Sequence, residues 1–149
     1  MTTITNREEA LEKVKEVGSW LEDVDDKLKA DREIVLEAVK NDGSALEFAS
    51  KALRNDREIV LAAVRNHGLA LEYADDSFKA DREVVLEAVR EYGGVLEDVD
   101  DKLKADREIL LAAARDNNYM LDEADDSFKS DRKFVLEAVK INGRVIQYA

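Results

Sequence analysis

The stretch Asp31–Val39 reads DREIVLEAV, and near-copies of it return every 25 residues along the chain. They read DREIVLAAV from Asp56, DREVVLEAV from Asp81, DREILLAAA from Asp106 and DRKFVLEAV from Asp131, with a more divergent NREEALEKV from Asn6. A fixed period of this length is typical of proteins whose repeats stack on one another. We therefore predict a single domain over residues 1–149, with repeats 1 to 6 at 6–30, 31–55, 56–80, 81–105, 106–130 and 131–149.

The spacing of apolar residues within a repeat is helical. In repeat 2, Asp31 is a residue type that caps a helix, and apolar side chains follow at the intervals of one helix face from Ile34 to Val39. Leu36 widens that face, so the helix needs cover on more than one side. Ala45 and Leu46 indicate a shorter second helix, and a one-turn helix is expected before the next Asp. The fold class predicted is all-α, a helical repeat array resembling an α-solenoid, with one longer helix and one or two short helices in each repeat.

A glycine follows the longer helix in five repeats. These glycines are Gly18, Gly43, Gly68, Gly93 and Gly143, and Asn118 takes the place in repeat 5. Gly and Asn are the residues that most readily adopt positive φ at the end of a helix. We therefore expect a left-handed backbone at this position.

The repeat pattern D-R-E-[IV]-V-L-x-A-V-[KR]-x-x-G-x-x-L-x-[YF]-A-[SD] resembles the repeat family known as domain of unknown function 4116. The best matches are Asp31–Ser50, Asp56–Asp75 and Asp131–Ala149, and the resemblance covers essentially the whole chain. It implies a helical repeat, and it implies no activity and no catalytic residue.

Composition excludes several classes of function. The chain carries 35 Asp and Glu against 23 Lys and Arg, a net charge of −12, with no Cys and one His. This argues against disulfides, thiol catalysis and zinc–thiolate sites, and against binding to nucleic-acid phosphates or an anionic membrane. No apolar run is long enough to span a bilayer, and the first ten residues lack the apolar core of a signal peptide. We expect a cytoplasmic, non-enzymatic protein with no cofactor and no metal.

One arginine follows the cap of every helix. In the central repeats these residues are Arg32, Arg57, Arg82 and Arg107. We favour a structural role, in which each one packs on the stack and bonds a neighbouring carboxylate or a carbonyl at a helix end. A site for a carboxylate-rich or phosphorylated partner is the alternative. Arg90 belongs to a second basic column on the polar face, so we expect Arg82→Ala to destabilise more than Arg90→Ala.

Paired acids such as Asp100 and Asp101 recur before the one-turn helix. They lack the ligand order and central glycine of a calcium loop, so helix capping is the favoured interpretation.

The positions where the repeats differ indicate a binding surface. Repeat proteins usually vary surface residues on a constant frame to recognise a partner. The candidate partner-binding residues are Phe48, His67, Leu69, Tyr73 and Tyr92. The alternative is drift at unconstrained positions. The function we favour is a protein- or peptide-interaction scaffold. An acidic nucleic-acid mimic that inhibits a basic protein and an engineered scaffold without a natural ligand remain alternatives.

The two ends of the array differ. Repeat 1 has Glu9 and Lys13 at positions that are apolar elsewhere, as an outer cap requires, whereas repeat 6 stays apolar. The candidate interface residues are Phe134, Ile141, Val145 and Ile146. We expect a weak homodimer through residues 134–149, or a longer array in which further repeats follow.

Overall fold

The computed structural model describes residues 3–148 and shows an all-α fold. The α-helices are α1 (Arg7–Glu16), α2 (Arg32–Asn41), α3 (Arg57–Asn66), α4 (Arg82–Glu91), α5 (Arg107–Ala113), α6 (Met120–Glu123), α7 (Asp126–Lys129) and α8 (Arg132–Ile141). Short 3₁₀ helices lie at Gly18–Asp23, Leu28–Ala30, Gly43–Phe48, Leu53–Asn55, Gly68–Tyr73, Asp76–Ala80, Gly93–Asp98, Leu103–Ala105 and Gly143–Tyr148. The predicted short helices are thus present, mostly as 3₁₀ helices. Within the described part of the chain, no helix combines the length and apolarity that crossing a membrane requires.

The conserved spacing of the aspartates places one at the start of each longer helix. The carboxylate of Asp31 accepts hydrogen bonds from the backbone N–H groups of Glu33, at 3.1 Å, and Ile34, at 3.3 Å. The same arrangement starts the helices at Asp56, Asp81, Asp106 and Asp131. These bonds satisfy N–H groups that have no partner within a helix. The predicted capping is confirmed.

The glycines after the helices do not adopt the expected backbone. No residue among those described has a positive φ, so the prediction for Gly18, Gly43, Gly68, Gly93, Gly143 and Asn118 is wrong. Close approach of the next repeat explains Gly43 instead. A Cβ atom there would lie 2.3 Å from the carbonyl oxygen of Ala63 and 2.9 Å from Cβ of His67. Glycine is needed where two backbones touch.

The chain forms two compact units, Met1–Asp76 and Ser77–Ala149. In the N-terminal unit, α2 packs between α1 and α3, and the 3₁₀ helices that follow them complete the layer. Its fully buried side chains include Ile34, Leu46 and Ile59. In the C-terminal unit, α5 packs against α4 and α8 and buries Ile109. That all six repeats form one domain stays a prediction.

A backbone hydrogen bond joins successive repeats at one repeated position. The N–H of Asp75 donates to the carbonyl of Arg54 at 3.0 Å, and that of Asp125 donates to Lys104 at 3.0 Å. At the N-terminus, the N–H of Asp25 donates to Ile4 at 2.9 Å in the same way. Ile4 is buried and forms an isolated parallel bridge with Val24. The segment around Ile4 therefore takes the position that the last turn of a preceding repeat takes elsewhere.

Candidate functional site

The arginines that follow the helix caps form an arginine ladder, in which Arg7, Arg32 and Arg82 each reach the start of the next repeat's helix. Arg82 donates from Nε to Asp106 at 2.6 Å and from Nη2 to Glu108 at 2.7 Å. Arg7 and Arg32 hold the equivalent Asp and Glu pairs, 24 and 26 residues further along. Such forked, charge-assisted bonds orient both groups. These bonds support a structural role for Arg7, Arg32 and Arg82, and that role stays a prediction for the other arginines.

Arg107 departs from this pattern. Lys133 stands where the other repeats have Glu, and Arg107 instead donates to Glu137. Its guanidinium also lies over the ring of Phe134, 5.4 Å from the ring centre. Arg57 is exposed at the start of α3. Wherever the partners of these arginines are described, the guanidinium groups bond carboxylates of the same chain. This disfavours a role for them in binding an acidic ligand.

The ladder shifts the pKa of its acidic partners. Hydrogen bonding to Arg82 lowers the pKa of the Asp106 carboxyl, and burial opposes this shift. Arg7 and Arg32 lower the pKa of Asp31 and Asp56 in the same way. Because these carboxylates also cap helices, each one connects the start of its own helix to the preceding repeat.

The two basic columns do not differ in exposure. The Arg82 side chain is 51% exposed and that of Arg90 is 49% exposed. Arg90 donates to Glu87 at 3.0 Å and also to Glu108 at 3.1 Å, so it too bonds the next repeat. The larger destabilisation by Arg82→Ala than by Arg90→Ala stays a prediction.

The first acid of each pair bonds the turn that follows it, in the repeats where these bonds are described. Asp25, Asp100 and Asp125 each accept a hydrogen bond from the N–H two residues later, at 2.9–3.0 Å. At Asp125 this bond caps α7, whereas the 3₁₀ helices after Asp25 and Asp100 have no side-chain capping bond. Over residues 3–148, no three His, Cys, Asp or Glu side chains are grouped closely enough to hold a metal ion. Of these three aspartates, the geometry supports capping at Asp125.

Four of the candidate binding residues lie in the N-terminal unit. His67 and Leu69 are exposed, whereas Phe48 and Tyr73 are half-buried at the ends of two 3₁₀ helices that contact each other. Burial raises the pKa of the Tyr73 hydroxyl, and the nearby carboxylates of Glu47 and Glu72 add to the shift. All four residues are thus at least partly exposed, and the two aromatic rings are partly buried.

The fifth candidate, Tyr92, lies in the C-terminal unit at the mouth of a cleft of about 280 Å³. Tyr119 lies on the same cleft, and both rings are exposed. The Tyr92 ring covers Gly94, where a Cβ atom would lie 2.6 Å from the ring. The cleft lies in an irregular repeat. In repeat 5, α5 ends three residues earlier than the other longer helices do in theirs.

Glu123 also lines this cleft and is not among the residues predicted to bind a partner. Its Oε1 accepts a hydrogen bond from Nδ2 of the buried Asn117 at 3.2 Å. Its Oε2 is buried without a hydrogen-bond partner among the described residues. Burial raises the pKa of the Glu123 carboxyl, and the Asn117 bond partly offsets it. The signal in the sequence was an acidic residue at the position where repeats 2 and 3 have the aromatic residues Phe48 and Tyr73.

The C-terminal candidates divide into two pairs. Phe134 and Val145 are completely buried, so the prediction that they form an exposed interface is wrong. Phe134 packs edge-on against Phe128, with ring centres 4.7 Å apart. Ile141 and Ile146 are exposed, and so is Leu136, which the sequence analysis did not select.

Two asparagines hold repeats together in a way that the sequence did not indicate. Asn66 Oδ1 accepts from the N–H of Gly43 at 2.7 Å, and its Nδ2 donates to the carbonyl of Lys40 at 3.1 Å. Asn41 makes the same bonds to the end of α1. The equivalent positions are Glu16, Glu91, Asp116 and Ile141, so no repeated residue type gave a signal.

The fold and its repeated inter-helix bonds define an all-α helical-repeat protein. The family described as Domain of unknown function (DUF4116) matches five overlapping segments of the chain, at residues 6–54, 31–79, 56–104, 81–124 and 106–149. The chain belongs to this family. No curated protein and no solved structure matches it.

Proposed function

We propose that this protein is a non-enzymatic scaffold that binds a protein or peptide through the positions where its repeats differ. The observation that carries this proposal is the placement of the large apolar side chains that are exposed. In the described part of the chain, four of them lie at two neighbouring repeat positions: Val17 and Tyr92 at one, Leu69 and Tyr119 at the other. The rest lie in repeat 6.

This placement supports a binding role for the variable positions. The repeated Asp and Arg residues whose bonds are described are engaged in caps and inter-repeat bonds, and most repeated apolar residues before repeat 6 are buried. Exposed aromatic side chains contribute little to the stability of the free protein, and Tyr and Trp dominate many protein interfaces. Their concentration at variable positions supports a recognition role.

The cleft of repeat 5 indicates the chemistry of the partner. Two exposed tyrosine rings flank it, and Glu97, Asp116 and Glu123 contribute carboxylates to its walls. A lysine or arginine side chain can satisfy carboxylate oxygens and lie against an aromatic ring. We therefore favour a peptide segment that presents a basic residue next to an apolar one.

Selection from a random peptide display library tests this proposal. The wild-type chain should enrich a peptide motif, and the double variant Tyr92→Ser/Tyr119→Ser should lose at least about tenfold in affinity for it. Lys102→Ser, which changes an exposed residue outside the two positions, is the matched control. A motif that binds both variants as tightly as the wild type would refute the proposed surface.

The acidic nucleic-acid mimic is the second candidate, and the net charge of −12 favours it. Its partner would be a basic protein held by distributed charge, so binding would weaken steeply with salt. Binding centred on Tyr92 and Tyr119 would depend less on salt. The affinity of the selected peptides should be measured at low and high salt for the wild-type chain and for the Tyr92→Ser/Tyr119→Ser variant. A steep loss of affinity with salt in both would favour the nucleic-acid mimic.

A further inference from the structure

The turn that leads into the 3₁₀ helix Leu53–Asn55 differs in charge from its counterparts. Residues 50–53 read SKAL, where repeats 1, 3, 4 and 5 read DDKL or DDSF at the same positions. Lys51 therefore stands where each of those repeats has an aspartate. These aspartates are Asp26, Asp76, Asp101 and Asp126. Repeat 2 thus lacks both acidic side chains of this turn.

The missing aspartate has an electrostatic role in other repeats. The ammonium group of Lys29 lies 3.7 Å from the carboxylate of Asp26, three residues earlier, and the same pairing recurs in repeats 4 and 5. The counterpart of Lys29 in repeat 2 is Arg54, and the residue three positions before it is Lys51. A pair that elsewhere holds one charge of each sign is therefore doubly positive here.

Arg54 has unused hydrogen-bonding capacity. Its Nε is buried and has no hydrogen-bond partner among the described residues. Within residues 3–148, the side chains of Arg54 and Lys51 form neither a hydrogen bond nor an ion pair. A buried donor without a partner is costly, so a group that accepts its hydrogen bond binds favourably.

The two basic side chains line a cleft of about 300 Å³ in the N-terminal unit. Its other walls come from repeat 3 and include Tyr73, whose ring is half-buried. We call it the basic cleft. Small ligand sites in proteins have this size and combine an apolar wall with a few polar groups.

The chemistry of the ligand follows from the charges around the basic cleft. Asp75 and Asp76 also line it, and each already has an interaction partner. Repulsion from these two residues grows with the charge of an incoming anion, so a carboxylate fits better than a doubly charged phosphate group. A carboxylate is also the group that pairs with Lys29 at the equivalent position.

We propose that the basic cleft binds one aspartate or glutamate side chain of an acidic peptide. The carboxylate accepts hydrogen bonds from the Arg54 guanidinium, including the buried Nε–H, and pairs with the ammonium group of Lys51. The methylene carbons of the ligand lie against the Tyr73 ring. The proposal goes beyond the function proposed above, because the variants that test Tyr92 and Tyr119 leave this cleft unchanged.

Titration of the isotopically labelled full chain with the capped tripeptide acetyl-Gly-Glu-Gly-amide, followed by NMR, tests the proposal. We expect saturable shifts of the Arg54 Nε–Hε signal and of the backbone amides of residues 51–54 and 73–76. The same tripeptide with Gln in place of Glu should give no saturable shift at equal ionic strength. Equal shifts with both peptides, or no shift with either, would overturn the proposal.

Lys51→Asp restores the residue type that repeats 1, 3, 4 and 5 have at this position, so the fold should be retained. The introduced carboxylate should pair with Arg54, as Asp26 pairs with Lys29, and weaken binding of the Glu tripeptide more than about fivefold. Lys27→Asp is the matched control, because it makes the same charge change at an exposed residue in the equivalent turn of repeat 1. It should weaken binding less than about twofold. Equal effects of the two variants would indicate general charge repulsion and contradict a built site.

Two further anions distinguish the sources of the bound group. Acetate should bind more weakly than the Glu tripeptide, because it lacks the methylene carbons that contact Tyr73. Acetate that binds as tightly would identify a small-molecule site and overturn the peptide as ligand. Inorganic phosphate should also bind more weakly. Tighter binding of inorganic phosphate than of the Glu tripeptide would overturn the assignment of a carboxylate.

Discussion

Gly43→Ala should destabilise the protein, although alanine is normally the better residue for an ordered backbone. Because φ at Gly43 is not positive, alanine meets no strain in its own backbone. The added Cβ atom would instead lie 2.3 Å from the carbonyl oxygen of Ala63, where ordinary contact begins near 3.4 Å. The helix end of the next repeat must therefore move by about 1 Å.

The magnitude follows from three contributions. Displacing a packed helix end costs about 1–3 kcal/mol. The same movement strains the 2.7 Å bond from the Gly43 N–H to Asn66, which contributes about 1 kcal/mol. The smaller entropy of the unfolded chain with alanine offsets about 0.4–1 kcal/mol. We expect a net loss of about 2 kcal/mol of unfolding free energy.

Gly143→Ala is the matched control, since it makes the same substitution at the same repeat position. Its Cβ atom meets nothing within 4 Å, so only the entropy contribution remains. We expect it to raise the stability by about 0.4–1 kcal/mol. Urea denaturation followed by circular dichroism measures both. Two substitutions with effects of the same sign would refute the reasoning that contact between repeats, and not backbone conformation, requires the glycine.

Three further outcomes follow from the bonds and pKa shifts. Asp116→Asn should stabilise by about 0.5–1.5 kcal/mol in urea denaturation, because it keeps the acceptor for the Gly93 N–H, at 2.9 Å, and adds a donor for carbonyls at the end of α4. Glu123→Gln should raise the urea midpoint more at pH 7 than at pH 4. Burial raises the pKa of the Glu123 carboxyl, so the wild type loses stability as pH rises through that pKa, whereas the neutral Gln does not. Arg82→Leu should flatten the loss of stability below about pH 5, because the lowered pKa of Asp106 provides stability that is lost as pH falls through it. Equal pH profiles for Arg82→Leu and wild type would contradict the third outcome.

The helices and their caps could be read from the sequence because they depend on residues close together in the chain. The Asp at each helix start bonds N–H groups two and three residues later, and the apolar spacing of each longer helix is fixed within ten residues. A structural role for the repeated arginines was also inferred, because a chain with 35 acidic residues offers many carboxylates to a stacked Arg, but the particular Asp and Glu partners were not.

The candidate sites were only partly predictable, because exposure depends on what the neighbouring repeat covers. Tyr92 and Leu69 were selected from variation among repeats and are exposed. Phe134 and Val145 have the same apolar character as Ile146, and yet the fold buries them completely. The cleft at Glu123 arises where α5 ends early, which no local residue pattern in repeat 5 specified.

The sequence by itself determined the repeat, the helical content and the capping chemistry, because all three follow from periodic patterns and short-range bonding. Only the tertiary structure decided why glycine follows each helix and which residues of repeat 6 are exposed. The physical reason is distance. These properties depend on atoms more than 20 residues apart in the chain, such as Gly43 and Ala63, whose separation is set by the packing of one repeat on the next.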